Sequence, residues 1–165
     1  MSNAILSAKL MARANVFENR IKILCNETLY EARPLGWDEK GLIGMLQRSF
    51  TLRYFLYKCE KQISKMRYDD LHDNFLIEKQ DNNINFKPNN FIYNGKRFII
   101  KESLRTLKVL KIRQDKNSIV GSAKYGLSSF SIEFYNYPNE LDNIIIEIAV
   151  LLIIRKMVWA MISPI

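Results

Sequence analysis

The feature that most constrains this chain is an unbroken apolar run near its C-terminal end. Ile148-Ala149-Val150-Leu151-Leu152-Ile153-Ile154 covers nearly two helical turns without a polar side chain. The surrounding pattern predicts one helix over residues 140–162, with Asn139 as its N-cap and Glu140 in its first turn. Because a helix that is apolar on every side must be enclosed on every side, the rest of the chain has to surround it.

Before that helix the sequence alternates between apolar and polar residues, which is typical of β-strands. Asn94-Gly95 separates two apolar, β-prone runs and predicts a hairpin, since both turn residues need positive φ. Strands that recur about every 8–12 residues favour a sandwich or a barrel. The predicted strands are Arg20–Leu24, Thr28–Arg33, Ser49–Tyr57, Gln62–Tyr68, Asn74–Lys79, Asn83–Lys87, Phe91–Tyr93, Lys96–Lys101, Leu107–Arg113, Ser118–Ala123 and Ser131–Phe134.

The connections between these strands are predicted from turn residues. The polar stretch Gln114–Asn117 predicts a second hairpin, and Pro34–Trp37 predicts a turn. We expect Gly41–Gln47 to be a loop that enters a strand. Residues 1–15 have mixed character and are predicted to form an N-terminal arm or a short helix.

Positive charge is concentrated in one window, from Lys87 to Lys124. This window holds ten basic and two acidic residues, so it carries the whole formal net charge of +8. Such a field attracts phospholipid headgroups, nucleic acid or an acidic protein. Because the window has no arginine-rich run and few aromatic residues beside its charges, nucleic acid is the weaker partner. A solvated face that only maintains solubility explains the same residues.

Motifs that would indicate an enzyme are missing from the sequence. It contains no G-x-x-x-x-G-K-[ST], G-x-G-x-x-G, H-E-x-x-H or G-x-S-x-G pattern. A Ser-His-Asp or Cys-His site would have to use His72, the one histidine. Asp69, Asp70 and Asp73 flank it, and such carboxylates could hold a divalent metal. We favour a polar loop between two strands, with no metal and no cofactor.

Glu147 is an acidic residue within the apolar helix. A carboxylate in such a place is usually near a helix end or paired. Arg155 lies two turns further on, too far to pair with it directly. We therefore expect a structural role with a strand lysine or tyrosine, and a catalytic acid is the alternative.

The cysteine content and the N-terminal sequence bear on the compartment. Cys25 and Cys59 are too few for a disulfide-stapled secreted domain and, with one histidine, for a usual structural zinc site. Met1–Leu10 lacks the continuous apolar region of a secretory signal. We expect a cytoplasmic protein with reduced thiols, peripheral at a membrane if its basic window binds lipid.

Many short strands followed by one enclosed C-terminal helix resemble the tubby C-terminal-like superfamily, which includes tubby domains, phospholipid scramblases and LURP-one-related proteins. The resemblance covers residues from about Val16 to Ile162. It rests on Ser49-Phe50-Thr51-Leu52-Arg53-Tyr54 leading into Tyr57-Lys58, on the Asn94-Gly95-Lys96-Arg97-Phe98 hairpin and on Ile144–Trp159. It implies a mainly β domain over residues 16–165, a closed antiparallel β-barrel of about twelve strands around a central hydrophobic helix.

The resemblance also implies binding rather than catalysis. Tubby domains bind phosphoinositide headgroups through a basic surface, scramblases act at membranes, and many bacterial members, the type this chain resembles, have no assigned role. The resulting hypothesis is a non-enzymatic domain that binds anionic lipid headgroups or another anionic ligand. The candidate residues are Lys96, Arg97, Lys101, Lys108, Lys111 and Arg113.

One further expectation and two alternatives accompany this hypothesis. Strand alternation puts Lys108 on the side opposite Lys111 and Arg113, so only a subset of the six residues can converge. One alternative is a structural or protein-interaction domain without a small ligand, its protein partner unknown. Another is an enzyme with an unrecognised site near His72.

The length of the C-terminal helix would also allow it to cross a membrane. Twenty-two residues reach roughly 33 Å, and the penalty for Arg155 and Lys156 nearly cancels the apolar gain. However, the apolar strand face of Phe130, Ile132 and Phe134 needs a partner that no other segment provides. We therefore predict that the helix is a buried barrel axis, with both cationic heads reaching water at one mouth.

Overall fold

The structure is a computed structural model that describes residues 10–15, 20–34, 51–69, 72–80, 83–87, 89–114, 116–127, 129–137 and 141–162. Within these residues the chain forms twelve strands followed by one helix, α1 (Ile145–Ile162). The strands are β1 (Leu10–Asn15), β2 (Arg20–Cys25), β3 (Thr28–Pro34), β4 (Thr51–Lys58), β5 (Lys61–Asp69), β6 (Asn74–Glu78), β7 (Asn83–Phe86), β8 (Phe91–Tyr93), β9 (Lys96–Glu102), β10 (Thr106–Arg113), β11 (Lys116–Tyr125) and β12 (Phe130–Asn136).

The strands form one antiparallel meander that nearly closes into a barrel. Strands adjacent in sequence pair with each other from β1 to β7 and from β8 to β12, and β1 pairs with β12. The two edges, β7 and β8, follow one another in the chain and are joined through a bridge between Lys87 and Asn90. The predicted barrel of about twelve strands is confirmed.

Helix α1 is the axis of this barrel. Every residue from Ile144 to Ile154 is at most 8% exposed, so no face of this stretch meets water. Inward-facing strand residues such as Ile23, Leu56 and Phe134 surround it and are fully buried. Among the described residues, no helix has both the length and the apolar character that crossing a membrane requires.

Tight two-residue turns connect several strand pairs. Asn94 and Gly95 have φ angles of 50° and 74°, which confirms the predicted hairpin. The β2–β3 turn, Asn26–Glu27, and the β4–β5 turn, Cys59–Glu60, also have positive φ at both positions. Neither of these two turns contains glycine, so turn chemistry alone does not single them out.

Two predicted boundaries need correction. Leu10–Asn15 is strand β1 of the barrel and is neither an arm nor a helix. The strand signal in this segment is weak because Ala12, one of its buried inward positions, is a residue of low β-propensity. The helix begins at Ile145 rather than at residue 140, because Leu141–Ile144 forms a turn closed by the bond from Ile144 N–H to the Leu141 carbonyl. The predicted cap at Asn139, turn at 35–37 and loop at 41–47 lie outside the described residues.

Candidate functional site

The six predicted basic residues are divided between the two sides of the barrel wall. Lys111 pairs in register with Phe98, which is fully buried inside the barrel, and Lys111 is itself only 5% exposed. Lys96 and Arg113 share this inward-facing alternation but lie at exposed strand ends. Because these three residues point away from the outer wall, they do not form one surface with Lys108. Strand alternation predicted this separation of Lys108 from Lys111 and Arg113.

Lys101 and Lys108 are the two predicted residues that the fold brings together. They lie directly opposite each other on β9 and β10, and both are exposed on the outer wall. Opposed residues on one sheet face have Cβ atoms about 5 Å apart. On β11, Lys124 is the diagonal neighbour of Lys108, since Ser122 pairs with Lys108 and Lys124 with Thr106. We call Lys101, Lys108 and Lys124 the lysine row.

Arg97 lies on the same outer wall but apart from the lysine row. It precedes Lys101 by four residues on β9, which is about 13 Å along a strand. Its Nε donates a hydrogen bond to the Asn90 side-chain oxygen at 2.9 Å. The Arg97 side chain therefore binds at the start of the β8–β9 hairpin and does not contribute to the surface around Lys108.

The acid that follows Lys101 in the chain does not neutralise the opposed lysines, although Lys124 faces Glu133 of β12 in register. Glu102 follows Lys101 directly, but strand alternation turns its carboxylate into the barrel, where it pairs with Arg155. Within the part of the chain that the structure describes, no carboxylate forms a salt bridge with Lys101 or Lys108. The ammonium of Lys124 lies over the ring of Tyr135, 5.2 Å from its centroid. The opposed pair is therefore without an acidic partner among the described residues.

Comparison with known proteins identifies no relative of this chain. No protein-family model, curated protein or solved structure matches this chain. Inference of function therefore rests on the geometry of the barrel itself.

The mouth at the C-terminal end of α1 holds a buried cation. Arg155 is 5% exposed, and its guanidinium pairs with Glu102 and lies 3.8 Å from an Asp73 oxygen. It also lies 4.5 Å from the ring centroid of Trp159. Burial lowers the pKa of Arg155, and the negative charge of Asp73 opposes this shift. The expectation that its head reaches water is wrong, because inward-facing carboxylates hold it inside.

Lys156 occupies the neighbouring position of this mouth. Its Nζ donates to the Gly126 carbonyl at 3.4 Å and lies 4.6 Å from the centre of the Tyr125 ring. The residue is half-buried, and burial lowers the pKa of its ammonium group. Lys156 thus ties the helix end to the β11–β12 turn.

The opposite mouth contains the acidic residue of the helix. Glu147 is 3% exposed, and its carboxylate lies 2.9 Å from the ammonium of Lys79, which directly follows β6. Lys79 also donates to the Asn143 carbonyl in the turn before the helix. The expected pairing of Glu147 with a lysine is confirmed, although Lys79 lies just past the end of β6 rather than within it.

The loop around His72 uses its polar groups for its own hydrogen bonds. His72 is exposed, and its Nδ1 lies 2.7 Å from an Asp69 oxygen. The hydroxyl of Tyr68 donates to Asp73 at 2.9 Å. Among the described residues, which leave out Asp70, no group of three or more metal-ligating side chains is assembled.

Lys124 and Arg105 belong to the basic window but not to the six predicted site residues. Alternation in Ala123-Lys124-Tyr125 is the signal that places Lys124 outside, since both of its neighbours are buried. Arg105 lies in the β9–β10 turn, and its carbonyl accepts a hydrogen bond from the Tyr125 N–H at 2.9 Å. That contact depends on the register of two strands, which the sequence does not specify locally.

Proposed function

We propose that this chain is a tubby-like barrel that binds anionic phospholipid headgroups through the lysine row. The observation that carries the proposal is the opposed pair of Lys101 and Lys108, which has no carboxylate partner among the described residues. Like charges directly opposite each other destabilise a sheet. A phosphate between the two ammonium groups would turn this repulsion into attraction.

The family assignment within this proposal rests on architecture. A meander that nearly closes around one apolar C-terminal helix is the arrangement that the tubby C-terminal-like superfamily shares. A shared fold supports a function only by analogy, so lipid binding is supported chiefly by the lysines. Their outward position makes them accessible to a surface that is too large to enter the barrel.

Vesicle co-sedimentation of Lys101→Ala/Lys108→Ala tests the proposal. The wild-type protein should bind phosphatidylserine-containing vesicles more strongly than pure phosphatidylcholine vesicles, and salt should weaken the binding. Each basic residue near an anionic surface contributes about 1 kcal/mol, so the double variant should lose about 30-fold in partitioning.

The matched control is Lys58→Ala/Lys61→Ala. These lysines also oppose each other, on β4 and β5, but lie at the other end of the barrel. Both double variants lose the same charge, and the control should bind as the wild type does. Equal retention of the wild type on acidic and neutral vesicles at low salt would refute the proposal. The basic window would then serve solubility or a protein partner.

A further inference from the structure

Three exposed apolar side chains lie at the mouth where α1 ends. Leu104, in the β9–β10 turn, is 96% exposed, and Leu127, in the β11–β12 turn, is 78% exposed. Trp159, near the end of α1, is 47% exposed. A single exposed leucine is ordinary. Here three separate segments bring large apolar groups to one end of the molecule.

Backbone hydrogen bonds flank both leucines. In the first turn, Ser103 N–H donates to the Thr106 carbonyl at 2.8 Å. In the second, Gly126 N–H donates to the Ser131 carbonyl at 3.0 Å. The bond from Tyr125 N–H to the Arg105 carbonyl joins the neighbouring turns. These bonds hold the chain on either side of each leucine, which reduces the ordering that a contact requires.

The opposed lysines of the lysine row lie on the strands just behind these apolar side chains. Leu104 follows Lys101 by three residues and precedes Lys108 by four, so the lysine pair lies roughly 10 Å behind the tip along the strands. Arg105 is exposed beside Leu104. The interfacial layer on each side of a bilayer is about 5–8 Å deep. A leucine at the acyl boundary would thus put the lysines at or just outside the headgroup phosphates.

We infer that this protein inserts the apolar tips Leu104, Leu127 and Trp159 into the interfacial region of an anionic phospholipid bilayer. The inference deepens the proposed function and rests on it, since the lysine row supplies the attraction to the headgroups. Tryptophan suits this position because its ring is apolar while its N–H can still bond to water or headgroups. The protein thereby lies on the bilayer by its turns rather than spanning it.

The charge around the mouth selects the side that faces the bilayer. Asp69 and Asp73 lie at the β5–β6 turn, whose strands are four to six strands away from β10 and β11 in the barrel order. An anionic surface would repel these carboxylates, so the barrel approaches tilted, with its β9–β12 side towards the lipid.

Another exposed leucine pair provides a matched control. Leu24 and Leu29 oppose each other on β2 and β3 and are 44% and 56% exposed. Their turn contains Glu27, and the next turn contains Glu60. Because the β2–β3 turn lies at the end of the barrel opposite to the β9–β10 and β11–β12 turns, a bilayer that takes up Leu104 and Leu127 does not reach this pair.

The test compares Leu104→Gln/Leu127→Gln with Leu24→Gln/Leu29→Gln on phosphatidylserine-containing vesicles. All four side chains are exposed, so both proteins should keep the wild-type melting temperature. Loss of two buried leucine side chains should reduce partitioning of the tip variant about a hundredfold. The control variant should bind as the wild type does.

A second measurement reports insertion directly. Trp37→Phe leaves Trp159 as the one tryptophan of the sequence, and phospholipids brominated on the acyl chain should quench the fluorescence of this bound variant. If Trp37→Phe binds but is not quenched, or if the tip variant binds as the wild type does while Lys101→Ala/Lys108→Ala does not, insertion is wrong and headgroup binding stands. If the wild type shows no preference for acidic vesicles, both proposals fail.

Discussion

The guanidinium of Arg155, inside one mouth of the barrel, pairs with the carboxylate of Glu102 at the end of β9. The two side chains are 7% and 23% exposed, so the pair lies mostly away from water. Removal of one partner from a buried pair leaves an uncompensated charge, which is more costly than the absence of both. This contact therefore links the helix to the wall at the end where the lysine row lies.

Glu102→Gln should lower the free energy of unfolding by about 3 kcal/mol because it leaves Arg155 with only the more distant Asp73. The double variant Glu102→Leu/Arg155→Met should recover most of that loss. Urea unfolding monitored by circular dichroism measures both changes. The control is Glu78→Gln, since the Lys65–Glu78 pair is more exposed and worth at most about 1 kcal/mol. Equal losses in Glu102→Gln and Glu78→Gln would contradict the buried pairing.

Two buried tyrosines should respond in opposite ways to loss of the hydroxyl. Within the described residues the Tyr54 hydroxyl has no hydrogen-bond partner, whereas the Tyr68 hydroxyl donates to Asp73 at 2.9 Å. Tyr54→Phe should stabilise the protein by about 1 kcal/mol, and Tyr68→Phe should destabilise it by about 1.5 kcal/mol or more. Thermal melts of the two variants, each removing one oxygen atom, check this. A loss of stability in Tyr54→Phe would indicate a partner for its hydroxyl.

Alkaline pH should unfold this barrel. Burial raises the pKa of Tyr54, Tyr125 and Tyr137 above the ordinary tyrosine value near 10. Above pH 10 the unfolded chain loses these protons while the folded chain keeps them, so stability falls as pH rises. Below pH 9 all three are neutral in both states, and they contribute no pH dependence.

Tyrosinate absorbance and circular dichroism, recorded together during a base titration, test this expectation. Part of the tyrosinate signal should appear only with the loss of secondary structure, and Tyr125→Phe should shift unfolding to higher pH. Complete ionisation near pH 10 with the native spectrum retained would disprove it.

The helical axis should not tolerate charge. Leu151 is fully buried at the middle of α1, and Leu151→Asp should prevent folding because an unpaired buried carboxylate costs several kcal/mol. Ile119→Asp, at an outer position that is 61% exposed, is the control and should fold. Removal of residues 141–165 should leave an insoluble or unfolded remnant. A soluble remnant with a cooperative melt would mean that the barrel does not need its helix.

The strands and their burial were largely predictable because the signals are local. Alternation located Ser131–Phe134 within the strand Phe130–Asn136, and Asn94-Gly95 identified its hairpin. Helix length was overestimated at the N-terminal side, where the chain closes a turn before the first helical residue. Apolar content alone cannot distinguish a buried turn from a helix.

The site was less predictable because it depends on strand register. Alternation along β10 separated Lys108 from Lys111, but the pairing of Lys108 with Lys101 requires the β9–β10 register. Likewise, the partner of Glu102 belongs to the helix and becomes its neighbour only when the barrel encloses that helix. Long-range contacts of this kind have no signature within one segment.

The order of the strands has a consequence for synthesis on the ribosome. β1 pairs with β12, and the axis that fills the barrel follows β12, so β1 has to wait for both β12 and the helix. At about 5–20 residues per second, the nascent chain exposes the inward faces of its strands for several seconds before their core emerges. Arrest of translation before residue 141 should therefore yield chains that are protease-sensitive and bound by chaperones. Release of the helical segment from the exit tunnel should protect all twelve strands together.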